Sequence, residues 1–275
     1  MKIRRLITFL SLIVAIGSTA FAGPPAPLVE KNPAPVTTEE RPWSFGLIMY
    51  GWMQSLDGTI GIRGIDADID IRFKDILKEL NFGMMTVLEA RYQRWGFMAD
   101  MVYADLRGSA STPFDFLFSS VDYEQKQFLG NFVVSYCVVD QTALRLDLYA
   151  GARVNWLDAE ITLIGNPLQL PPGFPPFIVP NRGFSGSESW ADPIVGARLQ
   201  ARISGPVFAR IGGDIGGFGV SSDFTWEVYG VIGVDVARNF SLLMGYRGLG
   251  TDYSNDGFKY DVIAHGPAMG AEFRF

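Results

Sequence analysis

Leu144-Arg145-Leu146-Asp147-Leu148-Tyr149-Ala150-Gly151-Ala152-Arg153-Val154-Asn155-Trp156 alternates without a slip. Its even positions are apolar, from Leu144 through Ala150 to Trp156. Its odd positions are Arg145, Asp147, Tyr149, Gly151, Arg153 and Asn155. A period of two is the signature of a β-strand with unlike faces. In a water-soluble barrel the apolar face points inward. In a membrane barrel it meets lipid, and the polar face lines the interior. Two features choose the membrane. Many such stretches reach the roughly 9–11 residues a tilted strand needs to cross a bilayer. Their polar faces carry full charges, which a soluble core rarely buries.

The pattern spreads along the chain. Over Val207 to Gly217 one face holds Arg210, Gly212, Asp214 and Gly216, the other Val207, Ala209, Ile211 and Ile215. Over Phe224 to Val236 the outward set is Phe224, Trp226, Val228, Ile232, Val234 and Val236. Thr225, Glu227, Tyr229 and Asp235 point inward. Phe240, Leu242, Met244 and Tyr246 face out, with Ser241, Gly245 and Arg247 facing in. Ser189 to Ile203 turns Trp190, Asp192, Arg198, Gln200 and Arg202 inward.

Ten long strands are expected, over 43–54, 82–93, 95–106, 121–139, 142–161, 186–203, 206–218, 222–236, 239–252 and 258–275. Connections alternate between tight ones, such as Ser204-Gly205 and Arg238-Asn239, and long ones over 55–81, 107–120 and 162–185. Short periplasmic turns and long outer loops are usual in transmembrane barrels. The fold class expected is all-β, a single antiparallel up-and-down transmembrane barrel. Twelve strands, adding 58–63 and 65–73, or eight, are the alternatives. The stretch 58–63 is too short to span.

The ends agree. Met1 to Ala22 has a positive start (Lys2, Arg4, Arg5), an apolar run from Leu6 to Ile16, and Ala20-Phe21-Ala22 as a cleavage site. This reads as a secretory signal peptide. Residues 23–42 carry six prolines and read as an extended periplasmic lead-in. The barrel domain is then 43–275. The tail Met269 to Phe275 is strand-like, and Phe273 and Phe275 resemble the signal by which outer-membrane barrels are recognised for assembly. The expected location is a Gram-negative outer membrane.

Formal charge is −6, and loss of Lys2, Arg4 and Arg5 takes it to −9. That opposes nucleic-acid binding, which needs a basic surface. Cys137 and His265 are the sole cysteine and histidine, so an intrachain disulfide and a Cys/His zinc site are excluded. No cofactor is expected. The expected partners are outer-membrane lipid, lipopolysaccharide and the barrel assembly machinery, and the barrel is expected as a monomer.

Several stretches look like those of a known family. They include Asp57-Gly58-Thr59-Ile60-Gly61, Phe73-Lys74-Asp75-Ile76-Leu77, Asn81-Phe82-Gly83 and Glu89-Ala90-Arg91-Tyr92-Gln93-Arg94-Trp95-Gly96. Trp190-Ala191-Asp192-Pro193, Gly213-Asp214-Ile215-Gly216-Gly217-Phe218-Gly219 and Gly245-Tyr246-Arg247 follow. Nearly all of the chain after the leader resembles a poorly characterised family of bacterial outer-membrane proteins in the broad OmpA/OmpW-like barrel group. The resemblance implies the architecture and carries over no catalytic residue.

Strand parity assigns a charged set to the lumen: Glu89, Arg91, Asp100, Arg145, Asp147, Arg153, Asp192, Arg198, Arg202, Arg210, Asp214, Glu227, Asp235 and Arg247, with Glu272 and Arg274. Every base in it is arginine, whose fork pairs with carboxylates in confined spaces. One reading is a selectivity-lining channel. The other, taken here as the expectation, is a salt-bridged filling that braces a narrow barrel. The first outer connection holds Asp66, Asp68 and Asp70, which alternate and therefore point the same way. They are a weak candidate for a divalent cation, since Ile71 and Leu77 break the EF-hand spacing, and a solvated acidic face is the blander reading. Phe73, Ile76, Leu77 and Leu80 predict a short amphipathic helix there. Leu163 to Phe184 is an apolar, proline-rich loop that could bind a surface partner or fold inward as a stopper.

The expected function is structural, or narrow porin-like passage of small solutes. Surface adhesion through the outer loops is the alternative. A barrel hydrolase ranks third: it would need His265, which shares its outward parity with Asp261, and the chain offers no nucleophile–base arrangement.

Overall fold

The computed structural model describes residues 43–62, 65–111, 118–168 and 177–275. The expected leader and lead-in, 1–22 and 23–42, lie outside the described residues, as does the proline-rich stretch 169–176. Among the described residues, the elements run β1 (Trp43–Trp52), β2 (Ser55–Ile62), β3 (Ile65–Ile71), α1 (Phe73–Glu79), β4 (Leu80–Tyr92), β5 (Trp95–Ser111), β6 (Phe118–Asp140) and β7 (Leu144–Gly165). Then come β8 (Pro167–Leu168), β9 (Phe177–Ile178), β10 (Arg182–Ser204), β11 (Val207–Gly216), β12 (Ser222–Ala237), β13 (Phe240–Asn255) and β14 (Phe258–Arg274).

Ten of these strands close a ring in the order β1-β4-β5-β6-β7-β10-β11-β12-β13-β14, with β14 returning to β1. All pairs are antiparallel. The register path Gly46–Glu89–Met98–Val133–Gly151–Ile194–Gly216–Thr225–Thr251–Val262–Gly58 circles the ring and returns twelve residues further along the chain. That stagger is what tilts the strands and sets the bore. A ring this small is narrow enough for its own side chains to fill.

The twelve-strand alternative is resolved by β2 and β3. After a break at Met53-Gln54, β2 continues the line of β1 along the upper half of β14. β3 pairs with β2 alone. The two form a hairpin beyond the ring. α1 fills the expected helical position and leads into β4. Its Lys78 Nζ lies 3.0 Å from Asp75 and holds that carboxyl below its usual range.

The middle wall is taller than the pattern predicts. β6, β7 and β10 run 23, 22 and 23 residues, about twice what a bilayer needs. Much of 107–120 and 162–185, expected as loops, is therefore ladder. Beyond the bilayer both faces of a sheet meet water, so the alternation that marks a strand fades there. β13 and β14 end in a two-residue turn with Asp256 at φ 44° and Gly257 at φ 82°. Both central residues of such a hairpin turn need positive φ, and Asp-Gly supplies them.

Parity divides the wall as the pattern requires. Phe224, Val228, Ile232 and Val234 on β12 are exposed, while Thr225 and Glu227, of the opposite parity, are buried. Aromatic residues ring the turn end: Trp43 with Tyr92 at 5.0 Å, Trp95 with Tyr136 at 5.1 Å and Phe240 with Phe273 at 5.2 Å between centroids. Phe82 and Tyr103 begin a second girdle toward the loop end. Two aromatic girdles around an apolar band are the outside of a membrane barrel.

Candidate functional site

The lumen contains the charged set. Asp100, Asp147, Arg153, Asp192, Arg198, Arg210, Asp214, Glu227, Arg247 and Glu272 are buried, and Glu89 and Arg91 are partly so. Arg145, Arg202, Asp235 and Arg274 sit nearer the turn end and are wetter. With Glu272 and Arg274 included, eight arginines face eight carboxylates, so the filling is formally neutral.

The charges stack in layers along the bore. At the turn end Asp235 accepts from Arg202 (2.6 Å), Arg274 (2.8 Å) and Ser241 (2.6 Å). The next layer centres on Asp147, which meets Arg91 at 3.0 Å, Arg145 at 3.1 Å and Arg198 at 3.3 Å. Arg198 also pairs with Glu89, and Arg210 reaches Glu272 at 3.2 Å. A cavity of about 110 Å³ follows, bordered by Glu89, Met98, Tyr229 and Arg247 among others. Gly212 makes room for the Tyr229 ring there. A Cβ at that position would lie 2.6 Å from Tyr229 Cζ.

The outer layer is the tightest. Arg153, fully buried, donates through Nε to Asn131 Oδ1 (2.9 Å) and through Nη1 to Thr225 Oγ1 (2.8 Å). Its Nη2 meets both Asp214 Oδ1 (2.8 Å) and Glu227 Oε2 (3.0 Å). Arg247 binds Asp100 (2.8 Å), Glu227 (2.9 Å) and the Tyr50 hydroxyl (2.7 Å), and lies 4.8 Å over the Trp52 ring. Tyr50 donates to Asp100 at 2.6 Å, and Tyr149 to Asp214 at 3.2 Å. Fork geometry lets each guanidinium tie strands that are not neighbours. Arg153 alone links β6, β7, β11 and β12.

Beyond this layer the bore turns apolar, with Trp52, Val102, Leu129, Leu249 and Ala264 packed together. Trp190 then stacks on Tyr253 at 4.2 Å and 7°. Asp192 differs from the other acids. It accepts from the Ser222 amide (2.7 Å) and hydroxyl (2.6 Å) rather than from arginine. The sequence reading named neither Tyr50 nor Asn131, and it placed Tyr149 and Thr225 on the inward face without giving them a role. Their inward parity was visible, but a search for charges passes over hydroxyls and amides.

The remaining candidates lie apart from the lumen. Asp66, Asp68 and Asp70 are exposed on β3. Asp68 accepts from Thr59 at 2.8 Å and Asp66 pairs with Lys259 at 3.4 Å. Among the described residues no three potential metal ligands converge. His265 faces outward, and its carboxylate neighbour is Asp57 at 2.8 Å, not Asp261. Residues four apart on one strand are about 13 Å apart, whereas Asp57 lies diagonally across the β14–β2 ladder. The other ring nitrogen meets the Tyr246 hydroxyl at 2.6 Å. Phe273 packs on Phe240, and Phe275 exchanges two backbone hydrogen bonds with Phe45, of 2.9 and 3.3 Å.

Solved structures share this architecture. The outer membrane protease OmpT from Escherichia coli superposes with a TM-score of 0.51 at 12% identity, over 86% of this chain and 98% of that one. The fold is that of an outer-membrane β-barrel. The translocator domain of the autotransporter NalP from Neisseria meningitidis gives a TM-score of 0.43 at 13% identity, over 84% and 88% of the two chains. Ail, the attachment invasion locus protein of Yersinia pestis, gives 0.34 at 14%, over 85% and 98%. No family model and no curated protein matches the chain. Likeness at these identities extends to the barrel and not to its activity.

Proposed function

We propose that this chain is an outer-membrane barrel with a closed lumen. Its role in the membrane is structural, with passage limited to water and the smallest solutes. The observation that carries this is Arg153: fully buried, bonded to four other side chains and bridging four strands across the bore. A wide aqueous pore would hydrate that guanidinium. The turn end is periplasmic, and the tall β6–β7–β10 wall stands outside among lipopolysaccharide. Export by the 1–22 leader, assembly through Phe273 and Phe275, a monomeric state and kinship with the OmpA/OmpW-like group belong to the same reading. So does the proposal that the barrel is not an enzyme: His265 is held between Asp57 and Tyr246 on the outer wall, and among the described residues no nucleophile is bonded to it. Conductance of the purified barrel in planar bilayers tests the proposal. The expected result is little or no current at neutral pH. A large, steady conductance would replace the closed lumen with an open pore.

One observation favours surface binding as a second reading. The tall wall carries Phe184 and Ile161 exposed on β10 and β7. Cell attachment by the full chain, lost on exchange of the loop tips, would promote that reading.

A further inference from the structure

We propose that the outer ionic layer carries one proton, held on Asp214, and that its release as pH rises unlocks the lumen. The inference rests on the closed-lumen reading and names how that closure is regulated. Three carboxylates, Asp100, Asp214 and Glu227, share two arginines, Arg153 and Arg247. All five are buried. The next cations, Arg198 from β10 and Arg210 from β11 itself, line the same cavity nearer the turn end and are engaged by Glu89, Asp147 and Glu272. By direct contacts this layer therefore has one carboxylate more than it has guanidinium groups, although the filling as a whole balances, and a buried charge without its own partner is neutralised rather than tolerated.

Geometry selects the carboxyl that takes the proton. Glu227 has both guanidinium groups and the Asn131 amide at 2.9 Å. Asp100 has Arg247 and the Tyr50 hydroxyl. Asp214 has a single guanidinium nitrogen, which it shares with Glu227, and the Tyr149 hydroxyl. From β10, Gly196 stands opposite Asp214 and offers no side chain. From β12, Glu227 stands directly opposite it, so a second full charge would face a like charge. Tyr229, the next inward residue of β12, adds a phenol and no cation. Two carboxylates at one site share a proton for this reason.

With Asp214 neutral, the layer balances and Arg153 locks it. When the proton leaves to water, Asp214 and Glu227 repel across β11–β12 and Arg153 cannot satisfy both. Closure is thus favoured at low pH and lost as pH rises.

The test uses the full chain folded in lipid. Infrared spectra of the wild type at neutral pH should show the carbonyl band of a protonated buried carboxyl, fading as pH rises. The band should be missing in Asp214→Asn. Single-channel openings of the wild type should increase as pH rises, with the steepness of one proton, while Asp214→Asn stays silent throughout. No such band in the wild type at neutral pH, or its persistence in Asp214→Asn, overturns the proposal. Should Asp214→Asn fail to fold, the wild-type infrared titration decides alone. Conductance at every pH would remove the closed lumen but leave the band as the measure of the proton.

Discussion

Asp214 and Glu227 stand opposite each other on β11 and β12, and both accept from the same nitrogen of Arg153, at 2.8 and 3.0 Å. Arg153 comes from β7, across the bore. The strength of the filling therefore concentrates in one side chain.

Replacing Arg153 with alanine should take from both carboxyls the donor they share, leaving Asp214 with no guanidinium and Glu227 with Arg247 alone. The cost for a buried pair is about 3–5 kcal/mol. Lysine keeps the charge but loses the fork, so it should recover part of the loss. Urea unfolding in lipid vesicles measures this. A change under about 0.5 kcal/mol for the alanine variant would mean the lumen is wet, as at exposed ion pairs.

The two faces of β12 give a matched pair. Val228 is exposed to lipid at mid-strand, so Val228→Arg should cost about 2–4 kcal/mol or block insertion. Its neighbour Tyr229 faces the cavity near Glu89 and Glu227, so Tyr229→Arg should be milder. The reverse ranking in a refolding assay would invert the assignment of faces.

Deleting Phe275 removes two backbone hydrogen bonds to Phe45. Each contributes about 1 kcal/mol. Refolded barrel should lose no more than about 2 kcal/mol, yet yield in the outer membrane should fall far more than that loss explains. Normal cellular yield would deny Phe275 a role in assembly.

Cys137 is fully buried, and its Sγ lies 3.1 Å from the Val139 carbonyl. A thiol reagent should label it only in denaturant. Rapid labelling of the folded barrel would show that the turn end opens.

The replacement of His265 by alanine should shift the unfolding midpoint by less than about 1 kcal/mol, since its bonds to Asp57 and Tyr246 are half-exposed. A larger loss in urea unfolding would make this clamp a structural keystone of the outer hairpin.

Much of this was legible before any coordinates. The alternation of Leu144 to Trp156 gave the strand, its faces and the inward aim of Asp147 and Arg153. What parity cannot supply is the partner. Arg198 meets Asp147 through the β7–β10 register, but it reaches Glu89 on β4 because the stagger of the ring sets which strands lie level, and that stagger is a property of closure. Asp192 shows the limit plainly. It has the same parity as its neighbours, yet it binds Ser222 because β10 passes the β11–β12 loop at that height. The exclusion of 58–63 and 65–73 from the ring was legible on length, and they form the hairpin β2–β3 outside it. Its strands are too short to span and belong to the wall above the membrane.

The Arg247–Tyr50 bond joins residues 197 positions apart, one on the first strand and the other on the last but one. Until β1 meets β14, Tyr50 and Arg247 lie on opposite margins of an unfinished sheet. The tie between them can form only as the seam closes. Assembly and the sealing of the bore are thus a single event, and a half-inserted barrel would leak where the finished one does not.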